Sequence, residues 1–169
     1  LRLWEDRRLC PHFHVPLQSG SDYILKSMRR SYDTAGFSQS VGLIRKFIRD
    51  PGITTDLIVG FPGEGEAEFR QSREFADSIG FSDLHIFPYS QRPGTSAHHY
   101  DGQVDPADKR SRVNQMLELA SRTSHEFRRG QLGKIRPVLW ESSQENEDTR
   151  TWSGLTDNYI RAYAVTPVT

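Results

Sequence analysis

The chain has 169 residues and equal numbers of basic and acidic side chains, 22 of each, so its formal net charge is zero. A neutral chain lacks the overall field that draws basic proteins to nucleic acid or membranes, so any nucleic-acid surface must be local. The single cysteine, Cys10, excludes an internal disulfide framework and a metal cluster held by this chain's cysteines alone, and it favours a cytoplasmic protein. The sequence contains no transmembrane segment or signal peptide, and its start at Leu1 suggests a piece of a longer protein.

Strands and helices alternate over the first hundred residues. An apolar strand is predicted over 12–18, and a turn at Ser19-Gly20-Ser21 leads into a helix over 22–30 that Ser21 or Asp22 caps. Thr34 caps a second helix, whose apolar residues recur at three- and four-residue spacing, and Pro51-Gly52 ends it. Its buried face is predicted to contain Phe37, Val41, Ile44 and either Phe47 or Ile48.

Two further strands follow the same pattern. A strand rich in β-branched residues is predicted over 53–60, a helix over 66–79 with Gly80 just beyond its end, and a short strand over 83–87. The order strand, helix, strand, helix, strand predicts parallel pairing with right-handed crossovers.

The remaining third of the chain has a different composition. Residues 96–104 are predicted to be a polar linker, and Asp105 and Pro106 begin a long helix that ends near Arg129. A basic excess runs from Lys109 to Arg136. Beyond it, strands are predicted over 135–141 and 159–165, joined by an acidic stretch over 142–151, as the start of a small β module.

The strand ends supply the candidate ligand contacts. In α/β proteins, ligands sit at the carboxyl ends of strands, beside the N-terminus of the next helix, which makes Gln18 the first candidate. Arg92, at the end of the third strand, is the best substrate contact. His12 and His14 alternate along the first strand, so a structural role and a ligand contact are equally open, whereas His98-His99 fits a solvated loop. No metal spacing and no complete catalytic set is present.

Four segments resemble one known family. They are PLQSGSD at 16–22, LKSMRRSY at 25–32, TDLIVGFPGE at 55–64 and FPYSQRPGT at 87–95. Together they resemble the second half of a radical S-adenosylmethionine methylthiotransferase, over roughly 10 to 100. Residues 133–169 are similar to the first part of the family's RNA-binding TRAM domain, and GLTDNY at 154–159 looks most like the branch that thiomethylates threonylcarbamoyladenosine beside the tRNA anticodon.

The resemblance implies a fold and a division of the chain. The implied fold class is α/β, the C-terminal half of a radical S-adenosylmethionine partial TIM-like barrel (1–104), followed by a basic connecting helix (105–132) and a truncated all-β TRAM module (133–169). The implied partner is a tRNA anticodon stem-loop.

The resemblance also implies roles for individual residues. Gln18 and Asp56 match contacts to the cofactor's ribose and nearby polar groups, Arg30 matches the partner of its carboxylate, and the strand around Ile58 packs on adenine. The implied cofactor contacts are Gln18, Ser19, Arg30, Asp56, Ile58, Gly60 and Phe61. The expected substrate or RNA contacts are Tyr89, Arg92, Lys109, Arg112 and Arg136, the last three as phosphate contacts from the basic excess.

The family's chemistry needs more than this chain contains. Its members hold two 4Fe-4S clusters, one in a CxxxCxxC loop, and one thiolate, that of Cys10, cannot hold such a cluster. We therefore expect the chain to be inactive alone. The alternatives are the isopentenyladenosine-directed branch, the ribosomal-protein branch, and an RNA-binding scaffold that never meets the cofactor.

Overall fold

A three-stranded parallel sheet forms the centre of the computed structural model, which describes residues 2–6 and 8–168. Its strands are β1 (His12–His14), β2 (Gly52–Val59) and β3 (Asp83–Pro88), in the spatial order β1-β2-β3. Both pairs are parallel, which confirms the predicted pairing. In the described ranges, no helix is both long and apolar enough to cross a membrane.

The first strand is shorter than the predicted strand over 12–18. The regular ladder ends after β1 because the Thr55 hydroxyl enters it: Leu17 N donates to Thr55 Oγ1 at 2.8 Å, and Thr55 Oγ1 donates to Val15 O at 2.7 Å. The chain nevertheless continues beside β2, because Val15 N donates to Thr54 O at 2.9 Å and Gln18 N donates to Asp56 O at 2.8 Å. Gln18 therefore reaches the carboxyl end of the sheet without belonging to a regular strand.

Four helices pack against the sheet. They are α1 (Asp22–Ser27), α2 (Thr34–Phe47), α3 (Glu66–Ile79) and α4 (Pro106–Arg129), and short 3-10 turns cover Arg2–Glu5 and Ser96–His99. α1 is shorter than the predicted helix over 22–30, and Arg29, just beyond it, has a left-handed backbone (φ 57°).

Local signals fix most of the helix ends. The Asp105 carboxylate accepts from Ala107 N, and Gly80 takes the left-handed conformation (φ 64°) that ends α3, as predicted. The cap of α2 is Asp33 rather than Thr34, because the Asp33 carboxylate accepts a 2.7 Å bond from Gly36 N.

The core lies between the sheet and its helices. Ile53, Leu57 and Val59 alternate along β2 and face the helices, while Thr54, Asp56 and Ile58 lie on the opposite face of the sheet. The predicted buried face of α2 is confirmed, and of the two alternatives at its end Ile48 packs against the core while Phe47 is exposed. The core cluster is Leu17, Phe37, Val41, Ile44, Ile53, Leu57, Val59, Phe69, Ala76, Ile79, Phe81, Leu84, Met116, Leu119 and Ala120.

The last helix belongs to the layer that covers the sheet. α4 was expected to be a connecting helix, and it contacts β3, β2 and α3. Met116, Leu119 and Ala120 from α4 are buried in the core.

A second, antiparallel sheet follows α4. It contains β4 (Val138–Glu145), β5 (Thr149–Thr156) and β6 (Arg161–Pro167), in that order. The acidic stretch over 142–151, predicted as a connection between two strands, instead forms the end of β4, a tight turn and the start of β5. The strand signal is weak there because β4 is exposed along most of its length and an irregularity between Trp140 and Ser142 breaks its alternation.

The two sheets dock at the start of β2. Gly52 lies so close to the antiparallel sheet that an added Cβ would be 2.4 Å from Asn158 O. The Arg136 guanidinium donates to Asp157 at 2.7 Å and to Asp50 O at 2.9 Å. Lys134 Nζ donates to the Asp50 carboxylate at 2.8 Å, which lowers the pKa of Asp50.

An aromatic pair extends this contact. The His12 ring of β1 stacks on the Tyr159 ring, with centroids 4.1 Å apart and planes 19° from parallel. Burial, followed by the charges of His14 and His85, lowers the pKa of His12. The antiparallel sheet is therefore docked at the amino ends of the parallel strands, opposite the end where Gln18 lies.

Candidate functional site

A cavity of about 410 Å³ opens at the carboxyl ends of β2 and β3. Three residues implied as cofactor contacts, Gln18, Asp56 and Ile58, line it together with two expected substrate contacts, Tyr89 and Arg92. These five residues come from three separated segments, and the parallel register brings them to one edge. The remaining lining residues, none of which was predicted as a contact, are Phe87, Pro88, Ser90, Thr95 and Ala97.

The backbone of Gln18 is held in a strained conformation. Its φ of 68° lies in the left-handed region, which costs a residue with a side chain on the order of 1 kcal/mol or more. Two bonds to β2 fix it there, because Gln18 N donates to Asp56 O at 2.8 Å and Gln18 O accepts from Ile58 N at 2.9 Å. Strain that is held in place in this way is typical of a residue that positions its side chain for a ligand.

The hydroxyl of Tyr89 is buried and has no hydrogen-bond partner among the described residues. Buried tyrosine hydroxyls normally have one. The ring itself is fixed, since Phe61 lies edge-on to it at 5.2 Å and Lys109 Nζ lies 5.5 Å above it while donating to Tyr89 O at 3.1 Å. The hydroxyl is therefore an unsatisfied hydrogen-bonding group of a residue that lines the cavity.

Gly60 does not face the open cavity on its Cβ side. Its φ is 76°, and a Cβ there would be 2.8 Å from the Lys109 side chain. The space predicted for a flat adenine ring is therefore filled on that side by the alkyl chain of Lys109. Phe61 is buried and touches Tyr89 rather than lining the cavity.

A buried ion pair supports the loop after β2. The Glu64 carboxylate accepts from Gly60 N at 2.8 Å and from Arg112 Nη1 at 3.1 Å, and Arg112 Nη1 also donates to Glu64 O at 2.7 Å. The two side chains are 1% and 10% exposed. Burial raises the pKa of Glu64, while the bonds from Gly60 and Arg112 oppose that rise.

The basic excess is largely used within the protein. Arg112 and Arg136 were expected as phosphate contacts. Arg112 instead pairs with Glu64 inside the protein, and Arg136 binds Asp157 where the two sheets dock, so neither presents a free guanidinium. Arg122 pairs with Asp77 at 2.8 Å and Lys134 pairs with Asp50. The exposed basic side chains left on α4 are Arg110, Arg128 and Arg129.

Two residues implied as cofactor contacts lie elsewhere. Ser19 is 1% exposed, and its hydroxyl lies 3.0 Å from Ser72 Oγ and accepts from Ser21 N, so it shapes the turn. Arg30 is exposed, lies outside the lining of the cavity, and is close enough to Tyr32 for its charge to act on that hydroxyl.

A cluster that sequence reasoning missed lies on the open face of the sheet. His14 Nε2 is 3.3 Å from one Asp56 oxygen, and His85 Nδ1 is 3.2 Å from the other. The signal was the register, since His85 pairs directly with Asp56 across β2 and β3 and His14 pairs with Thr54 across β1 and β2. Residues at alternate positions of neighbouring strands share a face.

Comparison with known proteins decides the family. The model of the radical S-adenosylmethionine superfamily matches residues 1–76. The chain is 44% identical over 134 residues to a threonylcarbamoyladenosine tRNA methylthiotransferase of Thermotoga maritima, covering 79% of this chain and 31% of that protein. The chain belongs to the radical S-adenosylmethionine methylthiotransferases. As a member, it spans about a third of the curated relatives that it matches.

Further relatives of this methylthiotransferase chain have two different names. It is 36% identical over 155 residues to a threonylcarbamoyladenosine tRNA methylthiotransferase of Bacillus subtilis, covering 91% of the chain and 34% of the relative. It is 41% identical over 143 residues to a tRNA-2-methylthio-N(6)-dimethylallyladenosine synthase of Mycolicibacterium gilvum, covering 85% and 28%.

A solved structure agrees with the fold. Coproporphyrinogen III oxidase from Escherichia coli, described as a radical S-adenosylmethionine enzyme, superposes with a TM-score of 0.58 at 10% identity, covering 94% of this chain and 46% of that one. At this identity the likeness shows the fold alone.

Proposed function

We propose that this chain forms half of the S-adenosylmethionine site, and part of the RNA surface, of an enzyme that methylthiolates threonylcarbamoyladenosine next to the tRNA anticodon. The observation that supports it best is the cavity at the strand ends, which collects an amide, a carboxylate, an apolar wall and an unpartnered hydroxyl. Ligands of α/β folds bind at this edge. The names of the relatives supply the reaction.

The cavity fits the parts of S-adenosylmethionine. Gln18 and Asp56 present hydrogen-bonding groups suited to ribose hydroxyls, and Ile58 and Phe87 present apolar surface suited to adenine. The Tyr89 hydroxyl adds a donor that the described residues do not use. Arg30 stays the proposed partner of the cofactor carboxylate, from outside the cavity lining.

The reactive half of the proposed enzyme lies outside these residues. With a reduced 4Fe-4S cluster, S-adenosylmethionine supplies the radical chemistry of this superfamily. Such clusters are held by several thiolates, whereas the sequence has only Cys10, which is exposed. The contribution that we propose for this chain is to bind and orient the cofactor, and we propose that the chain alone is inactive.

The substrate side is proposed to lie at Arg92. This exposed guanidinium lines the cavity and belongs to the loop after β3, where an RNA phosphate or a base edge can approach. Lys109 remains a weaker candidate, since its ammonium already donates to Tyr89 O. We propose that the antiparallel sheet is the first part of a TRAM domain.

The proposal also names the modified adenosine on which the enzyme acts. Relatives named for threonylcarbamoyladenosine and for dimethylallyladenosine have similar identities, 44% and 41%, so the isopentenyladenosine-directed branch is the second candidate. The GLTDNY segment at 154–159 favours the first. The ribosomal-protein branch stays a further alternative, and a scaffold without cofactor is an outcome of the test below. A cytoplasmic location is part of the proposal.

Two variants of the full-length enzyme separate the two halves of the proposal. Gln18→Leu removes the amide from the cavity, and we expect S-adenosylmethionine affinity to fall at least tenfold while affinity for an anticodon stem-loop is kept. Arg92→Ala should weaken stem-loop binding and methylthiolation while cofactor affinity stays within twofold. Arg110→Ala, an exposed cation on α4, is the matched control.

Three results would contradict the proposal. Unchanged cofactor binding in Gln18→Leu would remove the cavity from the cofactor site and leave the scaffold alternative. Unchanged tRNA modification in Arg92→Ala would remove Arg92 from the substrate surface. Methylthiolation of stem-loops with isopentenyladenosine, but not threonylcarbamoyladenosine, would assign the second candidate.

A further inference from the structure

Three potential metal ligands converge on the open face of the parallel sheet. His14 follows from β1, Asp56 from β2 and His85 from β3, and one ligand atom from each lies within 4.8 Å of the other two. All three belong to regular strands, so the sheet itself sets their spacing. Their side chains are 39%, 27% and 49% exposed, so solvent reaches the cluster.

The distances are long for direct charged hydrogen bonds. A protonated imidazole normally approaches a carboxylate oxygen to about 2.7–2.9 Å. The His14 and His85 nitrogens lie 3.3 and 3.2 Å from the two Asp56 oxygens. The Asp56 carboxylate therefore lies between two imidazole nitrogens and forms a short charged hydrogen bond with neither.

The same distances fit ligands that share a cation. Zinc binds imidazole nitrogen and carboxylate oxygen at about 2.0–2.2 Å, so two ligands at a tetrahedral angle lie roughly 3.3–3.5 Å apart. The two observed nitrogen-to-oxygen separations are close to this value. Each involves a different oxygen of Asp56, so an ion shared by the three side chains would be held by both oxygens of the carboxylate. The nearest ligand atoms of the two imidazoles lie within 4.8 Å of each other, so all three side chains come near enough to face one ion.

The second nitrogen of His14 has the support that a ligating histidine usually has. Its Nδ1 lies 3.0 Å from Thr54 Oγ1. With Nδ1–H donating to that hydroxyl, the lone pair of Nε2 faces Asp56, and such outer contacts orient metal-binding imidazoles. Two imidazoles and one carboxylate suit zinc, iron or a similar first-row ion, and three protein ligands leave a position for water or substrate.

We propose that His14, Asp56 and His85 bind one divalent first-row transition-metal ion, with zinc as the reference ion. The site does not require the proposed function, because all three ligands belong to this chain and none is a cysteine. It does change one role in it, since the proposed function places Asp56 against the cofactor's ribose. Asp56 then serves the metal, and Gln18 remains the polar group directed at the cofactor cavity.

Cobalt(II) is the probe of choice because it substitutes for zinc and absorbs visible light. The 169-residue chain, freed of metal with a chelator, is titrated with Co²⁺, and we expect ligand-field bands that saturate at one ion per chain and disappear when Zn²⁺ is added. His85→Gln and Asp56→Asn should each weaken binding at least tenfold, because each removes or weakens one of the three ligands. His85 is the safer position for folding, since its side chain is half-exposed.

The controls remove the single cysteine and two histidines that lie outside the cluster. Cys10→Ser and the pair His98→Gln and His99→Gln should keep the affinity within twofold, and circular dichroism melting confirms that each variant folds. Absence of saturable binding by the wild type would overturn the proposal, and so would unchanged affinity in both ligand variants or its loss in Cys10→Ser.

A measurement on the wild type covers variants that fail to fold. Nitrogen NMR of the imidazole rings during zinc addition should move the resonances of His14 and His85 and leave those of His98 and His99 in place. Movement of the loop histidines alone would overturn the assignment. Asp56 bridging two protonated imidazoles without a metal would appear as no zinc response in either ring.

Discussion

The buried pair of Glu64 and Arg112 allows a sharp test of what supports the loop beneath the candidate cavity. Arg112→Ala leaves the Glu64 carboxylate, 1% exposed, with Gly60 N as its remaining close donor. Removing one partner of a buried pair typically costs about 3–5 kcal/mol, because a buried charge is left uncompensated. Domains of this kind are stable by roughly 5–15 kcal/mol, so the variant should be strongly destabilised.

Urea unfolding measures this loss. At a slope of about 2 kcal/mol per molar, the expected cost moves the midpoint down by roughly 1.5–2.5 M. Arg110→Ala, an exposed cation on the same helix, is the matched control and should change stability by less than about 0.5 kcal/mol. The double variant Glu64→Gln with Arg112→Met should recover much of the loss, since a neutral amide still accepts from Gly60 N and no charge is buried.

The same pair predicts how the stability of the fold changes with pH. Burial raises the pKa of Glu64, so the folded state holds a proton more tightly than the unfolded chain does. Stability therefore falls as pH rises through the range above the ordinary glutamate value, and losing Arg112 extends that range upward. The cost of Arg112→Ala should be larger at pH 7 than at pH 5. A cost below about 1 kcal/mol at pH 7, or an equal cost at both values, would refute the reasoning.

Three further predictions concern close contacts and protonation. Gly20→Ala should destabilise the chain strongly, because its Cβ would be 2.7 Å from the backbone of α3. Gly42→Ala, whose Cβ would have nothing within 4 Å, should stabilise the chain by about 0.4–1 kcal/mol. Thermal melts measure both, and equal effects would contradict this. Gly154→Ala places a Cβ 2.3 Å from a carbonyl of β4, so amide exchange should rise in the antiparallel sheet first, and uniform protection there would argue against it. Burial lowers the pKa of His12, so the stability that comes from its neutral form is present above about pH 6.5 and is lost as pH falls through the lower pKa of the folded state. In His12→Phe, the melting temperature should depend less on pH in this range, and an unchanged pH dependence would count against it.

The parallel sheet was predictable because its signals are local. Pro106, Gly80 and the polar strand ends mark boundaries within a few residues, and the alternation of strands and helices then fixes parallel pairing. The middle antiparallel strand, β5, was not predictable in the same way. Residues 142–156 are polar and mostly exposed or half-exposed, so their pairing depends on the hairpin partner rather than on an apolar pattern.

The site was predictable only where motif and strand end coincide. Gln18 and Arg92 follow this rule, and they line one cavity together with Asp56, which lies within β2. Arg112 does not, because its burial is decided by Glu64, 48 positions away, and a basic residue on a helix reads as solvent-exposed until that partner is known. His85 likewise acquires its neighbours through the register of three strands, which no single segment of the sequence encodes.

Because the second sheet docks at Gly52, the length of β2 sets the distance between that sheet and the cavity. β2 contains eight residues and therefore seven steps, so at about 3.3 Å per step its two ends are roughly 23 Å apart. One end touches the antiparallel sheet, and the other opens into the cavity. A ligand that reaches both at once must be at least this long, so a free nucleoside is too small to do so, whereas a folded hairpin of nucleic acid meets the length requirement.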